Sequence, residues 1–357
     1  MNSIFGEALR GLPGPILVTG HTGFKGTWLT LLLEYLNIPV VGISLPPENN
    51  SLYSLMEREN KITEKFIDIR NLSDLQGTIQ KFTPSAVLHM AAQPLVLESY
   101  ESPISTFEVN VIGSANLLQS CLSTASVKTV GVITTDKVYR NHELPIPYRE
   151  DDPLGGYDPY SASKAASEMV IDSYVKSFFN PIHIPIGIGR AGNVIGGGDW
   201  SNDRLIPDIA KALNTNKEVV IRNPKAVRPW QHVIEPLFGY LELGLKLNID
   251  PIKYAQAYNF GPNTNDALSV EEMVVKSINC WASGTYNVEV NSNNPHEAGL
   301  LKLDITKATT ELNWKPVLNA QTAVELTINW YKKYYNNTTA TKLMESDIKY
   351  YQSKINE

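Results

Sequence analysis

Tyr160 and Lys164 stand four residues apart in the run Asp158-Pro-Tyr-Ser-Ala-Ser-Lys164. On a helix that spacing puts both on one face, one turn apart. A nearby ammonium favours the phenolate and lowers a tyrosine's pKa. Such a tyrosine can take a hydroxyl proton near neutral pH while hydride leaves the same carbon. Upstream, Thr135-Asp136-Lys137 follows an apolar run at residues 128–134, so a hydroxyl, a carboxyl and an amine cluster where a strand would end. Near the start, Gly20-x-x-Gly23-x-x-Gly26 joins an apolar β-branched run to a leucine-rich one. Glycines there allow a tight turn and let backbone N–H groups approach a pyrophosphate, and a helix N-terminus favours the anion. A lone glycine triplet is weak, but one set between a strand and a helix is a dinucleotide fingerprint. The implied chemistry is hydride exchange between a bound dinucleotide and an alcohol carbon.

Those residues need a scaffold, and the apolar pattern predicts one. Strands are expected at residues 15–19, 39–45, 66–69, 86–90, 128–134 and 183–188. Helices are expected after the glycine turn and at residues 72–82, 103–122 and 161–178. This alternation predicts an α/β fold, a Rossmann-like doubly wound parallel sheet covered on both faces. A smaller, mixed C-terminal substrate domain should follow. The expected division is a dinucleotide-binding domain at residues 1–190, with a segment at about 227–262 returning to it, and a mainly substrate-binding domain at 191–340. Helices there are placed at residues 205–213, 234–247, 269–280 and 323–335, and the tail 341–357 is expected to be frayed or a loosely docked helix.

Composition narrows the partners. The chain has 357 residues, 43 % of them hydrophobic and 19 % charged, which excludes disordered, collagen-like and coiled-coil classes. The net charge of −6 argues against non-specific nucleic-acid binding. Only two cysteines are present, Cys121 and Cys280, far apart and without metal-ligand spacing. They fit a reducing compartment, and no apolar run is long enough to span a bilayer. The expectation is a soluble cytoplasmic protein with a small-molecule partner, no metal, no membrane and no nucleic acid.

The cofactor should meet Gly20, His21, Gly23, Phe24, Lys25 and Gly26 in the turn, with His21 or Lys25 touching phosphate. Ser44 stands at the end of the second strand, where an acidic residue for the ribose often sits. A serine bonds a ribose hydroxyl without repelling a 2′-phosphate, so NAD is expected and NADP stays open. Asp68 and Ile69 at the third strand, and Ala91, Ala92 and Gln93 after the fourth, complete the set with Tyr160 and Lys164.

Together these pieces resemble the extended short-chain dehydrogenase/reductase family, which joins GxxGxxG, a strand-end Ser or Thr, and YxxxK. The resemblance covers nearly the whole chain. Thr135-Asp136-Lys137-Val138-Tyr139 is similar to the Thr-Asp-Glu segment of sugar-nucleotide 4,6-dehydratases, with Lys in place of Glu. Arg228-Pro-Trp-Gln-His232, Pro295-His-Glu-Ala298, Leu303-Asp304 and Leu312-Asn-Trp-Lys-Pro316 are similar to the branch acting on CDP-glucose. The resemblance implies NAD-mediated oxidation of the sugar C4, loss of water across C5 and C6, and return of hydride to C6. It casts Tyr160 as the base for the C4 hydroxyl and Lys164 as the partner of Tyr160 and of the nicotinamide ribose. Thr135 would position the C4 oxygen, Asp136 protonate the leaving C6 hydroxyl and Lys137 handle the C5 proton. A lysine serves as a base only if its pKa falls toward neutrality. Arg228, then Arg204, are expected on the pyrophosphate of the nucleotide sugar, since guanidinium bonds phosphate in bidentate fashion. Arg190, Asn193 and His296 are further substrate candidates, with a structural role for Arg190 as the alternative. A 4-epimerase or a non-catalytic NAD sensor remains as an alternative, and a homodimer or a dimer of dimers is implied.

Overall fold

A computed structural model describes residues 2–56, 58, 61–201, 204–289 and 299–355. Its centre is one sheet of seven strands: β1 (Ile16–Thr19), β2 (Val40–Ser44), β3 (Thr63–Phe66), β4 (Ala86–His89), β5 (Thr129–Ile133), β6 (Ile186–Ala191) and β7 (Ala257–Phe260). The strands are all parallel and run in the order β7-β6-β5-β4-β1-β2-β3. This is the doubly wound arrangement, with its reversal between β1 and β4. β1 and β5 are wholly buried, as strands covered on both faces must be. Alternation divides their side chains between two cores. Ile16 and Val18 pack with the Phe24–Tyr35 helix on one face, while Leu17, Val87 and Val130 pack with the Leu72–Phe82 and Gly113–Leu122 helices on the other. Among the described residues no helix is long and apolar enough to cross a membrane.

Four expectations need correction. The third strand lies at Thr63–Phe66, not at 66–69. It is the sheet's edge, mostly exposed, and so shows no apolar run for a periodicity argument to find. The sixth lies at Ile186–Ala191, because Gly187 and Gly189 interrupt its apolar pattern where Leu243 and Tyr240 of the Ile234–Ile249 helix press on it. The helical stretch 103–122 is interrupted by a π-helical turn at Glu108–Ile112. The C-terminal segment is a firmly docked helix, Ala340–Ile355, rather than a loose one. It buries Leu343, Met344, Ile348 and Tyr351, and the Tyr351 hydroxyl donates to the buried Glu235 carboxylate at 2.6 Å.

The Pro159–Tyr174 helix carries the Tyr–Lys pair. Asp158 caps it, accepting from the Ser161 backbone N–H at 2.9 Å and from its hydroxyl at 2.6 Å, and Pro159 fits the first helical position. The cap fixes where the helix begins, and therefore which way Tyr160 faces.

Candidate active site

The glycine turn crosses the sheet's switch point. Gly20 has φ +74°, a conformation L side chains rarely adopt, and a Cβ there would lie 2.8 Å from the Ala91 backbone. A Cβ on Gly26 would lie 2.1 Å from the Gly20 carbonyl oxygen. β1, the turn and the start of the Phe24–Tyr35 helix are therefore held together as closely as backbone permits. The leading amides of a helix lack partners within it, so this end suits a pyrophosphate. The chain's residues fit a dinucleotide here.

Not every expected cofactor residue is free for that task. The His21 ring is fully buried against Gly42, with Nε2 2.7 Å from the Glu64 carboxylate and Phe66 stacked on it. It points under β2 and is not available to a phosphate. Gln93 is likewise engaged: its side chain donates to Thr106 at 2.8 Å and accepts from the Leu95 N–H. Ser44 sits at the end of β2 with its hydroxyl 2.7 Å from that of Thr22. Asp68 lies just beyond β3 and is gripped by Arg70, whose side-chain hydrogen bonds hold the carboxyl below its usual range. The Ile69 side chain packs in the core against Gly113. Ala92 follows Ala91 on the loop leaving β4.

Lys25 differs from its neighbours in the turn. Its ammonium lies 5.9 Å from the Tyr240 ring, within electrostatic reach of Arg204, Lys164, Asp136 and Lys137. Burial and those cations draw it down to about 7. It belongs to the catalytic end of the site.

That end opens into a cavity of about 2000 Å³ lined by Thr135, Lys137, Tyr160, Asn193, Arg204 and Arg228, among others. Pockets for a single small ligand run to about 300–1,000 Å³, so this one has room for two partners side by side. Thr135 and Tyr160 share a hydrogen bond. Thr135 also donates to Asp136 Oδ1 at 3.1 Å and caps the short turn Asp136–Val138. The Lys137 ammonium is 3.5 Å from Asp136 Oδ1 and 3.5 Å from Asn193 Oδ1. A hydroxyl, a phenol and an amine thus converge on one wall, with the Asp136 carboxyl buried behind them.

The electrostatics correct one expectation. Burial pushes the Tyr160 phenol up to about 12, with Asp136 and Asp158 adding to the rise and Thr135 and Arg204 opposing it. Lys164 is not among the main causes of that shift. Its ammonium donates instead to the Ile133 carbonyl at 3.4 Å, and burial draws it down to about 8.

The arginines divide. Arg204 lines the cavity, half-exposed, and is held by Asp199 at 2.9 Å. Arg228 also lines it, with one guanidinium nitrogen donating to the Val227 carbonyl. Arg190 does not face the cavity. It is buried against Glu168, with its other end on the Tyr139 hydroxyl at 2.8 Å, so it is a structural cation and not a substrate ligand. His296, with Glu297 and the rest of the Pro295–Ala298 run, lies outside the described residues. Reading the sequence missed Asp199 and Glu168. Glu168 was within reach, since it continues the four-residue spacing from Tyr160 through Lys164.

A CDP-glucose 4,6-dehydratase of Salmonella typhimurium is 43 % identical over 345 residues, covering 95 % of this chain and 96 % of that one. The UDP-glucose-4-epimerase of Stenotrophomonas maltophila, solved with NAD and a formylated UDP-arabinopyranose, superposes with a TM-score of 0.78 at 21 % identity, covering 91 % and 100 % of the two chains. A dTDP-glucose 4,6-dehydratase of Streptomyces venezuelae, solved with NAD and TYD, gives 0.76 at 23 % identity, covering 89 % and 97 %. At such identities the two structures speak for the fold. Residues 17–327 match the GDP-mannose 4,6 dehydratase family, and the chain belongs to it.

Proposed function

We propose that this protein is an NAD-dependent nucleotide-sugar 4,6-dehydratase, a lyase that converts CDP-glucose to CDP-4-keto-6-deoxyglucose. What supports the reading is Lys137 lining the cavity with Thr135 and Tyr160, and Asp136 buried directly behind them against Thr135 and Lys137. Oxidation at C4 alone needs only the hydroxyl, the phenol and the ammonium. An added acid and an added amine are what elimination requires. The closely similar CDP-glucose 4,6-dehydratase supports the choice of sugar nucleotide.

The bound dinucleotide supplies a hydride acceptor at the first step and a hydride donor at the last. Tyr160 takes the proton of the C4 hydroxyl, while Thr135 holds that oxygen in place. Lys164 bonds the nicotinamide ribose and keeps positive charge near the phenol. The ketone at C4 makes the C5 hydrogen acidic. Lys137, its proton having passed to the Asp136 carboxylate it faces, takes the C5 proton, and Asp136 gives the proton it received to the departing C6 hydroxyl, which leaves as water. A hydride returned to C6 is matched by the Lys137 proton at C5, and the proton that Tyr160 took from C4 passes through Thr135 to Asp136, which resets the pair. Arg204 and Arg228 hold the pyrophosphate of the sugar nucleotide, and Asn193, beside Lys137, contacts the sugar. Asp68 is the candidate reader of the adenine amine.

Incubation of the protein with NAD and CDP-glucose should yield a 4-keto-6-deoxy product, visible by its absorbance in base. A product differing only in C4 configuration would indicate an epimerase. Bound NAD without turnover would indicate a sensor.

Two further assignments belong to this reading. Ile104, Phe107, Ile112, Met169 and Phe178 are exposed on the helical stretches at 103–112 and 159–179. They suit a homodimer interface, and sedimentation at the monomer mass would refute it. Cys121 and Cys280, both free thiols, suit the cytoplasm.

A further inference from the structure

The Pro159–Tyr174 helix presents three buried polar residues at four-residue intervals: Tyr160, Lys164 and Glu168. Each engages one of three consecutive residues at the end of β5. Tyr160 hydrogen-bonds Thr135. Lys164 Nζ donates to the Ile133 carbonyl at 3.4 Å. The Thr134 hydroxyl donates to Glu168 Oε1 at 2.6 Å. The first two belong to the reacting set. The third has no step assigned to it, yet it is built with more care than either.

Arg190 grips Glu168 from the far side, with Nε at 3.0 and 3.1 Å from the two carboxylate oxygens and Nη2 at 2.5 Å. Arg190 is itself fixed by the Tyr139 hydroxyl at 2.8 Å and the Glu150 carbonyl at 3.0 Å. Tyr139 donates in turn to Asn259 of β7 at 2.6 Å. Glu168 is 3 % exposed and Arg190 4 %. Burying such a pair costs about as much as the attraction returns, so stability is a weak reason for it to exist here.

We propose that Glu168 is a positioning residue of the catalytic centre. Pinned by Arg190, it supplies the counter-charge for the Lys164 ammonium and locks the strand end that carries Thr135 against the helix that carries Tyr160. This rests on the role given to Lys164 above. Three titratable groups bear on Lys164: Glu168 from its own helix, Lys25 from the helix after the glycine turn, and His89 from β4. His89 is held neutral by burial, and Lys25 can only add positive charge. Glu168 is the group that opposes the loss of the Lys164 proton.

The test is the pH profile of kcat/KM at saturating NAD. Removing a carboxylate near a buried ammonium eases deprotonation, so the alkaline limb of Glu168→Gln should move to lower pH by about one unit or more. Glu168→Asp keeps the charge and should recover part of the shift. Glu168→Gln leaves Arg190 buried without its partner, which threatens folding. The double variant Glu168→Gln/Arg190→Met removes both charges and should show a smaller downward shift, since Arg190 lies on the far side of Glu168 and the loss of its cation works the other way. An alkaline limb that stays in place in a folded variant, whatever happens to kcat, overturns the proposal. Failure of the underlying reading looks different: Lys164→Met would then turn over normally.

Discussion

Tyr160→Phe should lower kcat by about 10³-fold or more, within the range that a positioned proton acceptor contributes, while NAD binding stays nearly unchanged. The phenol is the side chain hydrogen-bonded to Thr135, and its ring is 8 % exposed. Phe fills the same space, so the packing survives and only the proton acceptor is lost. Burial holds the phenol at about 12 in the protein alone. Reaching the phenolate therefore depends on positive charge brought close, from Lys164 and from the oxidised nicotinamide. Turnover measured beside an NAD titration checks this. A variant that keeps most of the parental rate would remove Tyr160 from the chemistry.

Asp136→Asn should stop the reaction between oxidation and elimination. Asp136 is 1 % exposed, and its Oδ2 has no hydrogen-bond partner among the described residues. Its other oxygen accepts from Thr135 and faces the Lys137 ammonium at 3.5 Å. Asn keeps the shape and cannot give up a proton, so kcat should drop about 10²- to 10⁴-fold. C4 oxidation needs neither residue, so reduced-nicotinamide absorbance should build up when the sugar nucleotide is added. Lys137→Ala should stall at the same place with NAD binding intact. Formation of the 4-keto-6-deoxy product by Asp136→Asn at the parental rate would show that another group protonates the leaving hydroxyl.

What could be read from the chain follows from where each constraint lies along it. The glycine turn, Thr135-Asp136-Lys137 and Tyr160…Lys164 are local patterns, each set by one turn of helix or one strand end, and the structure puts Thr135, Lys137 and Tyr160 on the cavity with Asp136 and Lys164 buried behind them. The C-terminal helix was legible only in part. Leu343, Met344, Ile348 and Tyr351 repeat at helical spacing, but a low apolar content concealed them. The two roles open to Arg190 could not be separated in sequence because its partner Glu168 is 22 residues away and meets it only through tertiary packing. His21 was misread for a similar reason. Its position in the turn suggested a phosphate, whereas Glu64 on the edge strand claims the ring. The edge strand itself, Thr63-Glu-Lys-Phe66, lacks the buried face that makes a strand visible in sequence.

The central claim is that hydride taken from C4 is returned to C6 of the same sugar. CDP-glucose carrying deuterium at C4 tests it directly. Incubated with the protein and NAD, it should give a 4-keto-6-deoxy product with the deuterium on C6. Deuterium found still on C4, with that carbon inverted, or a product whose C6 carries none of it, would contradict the account.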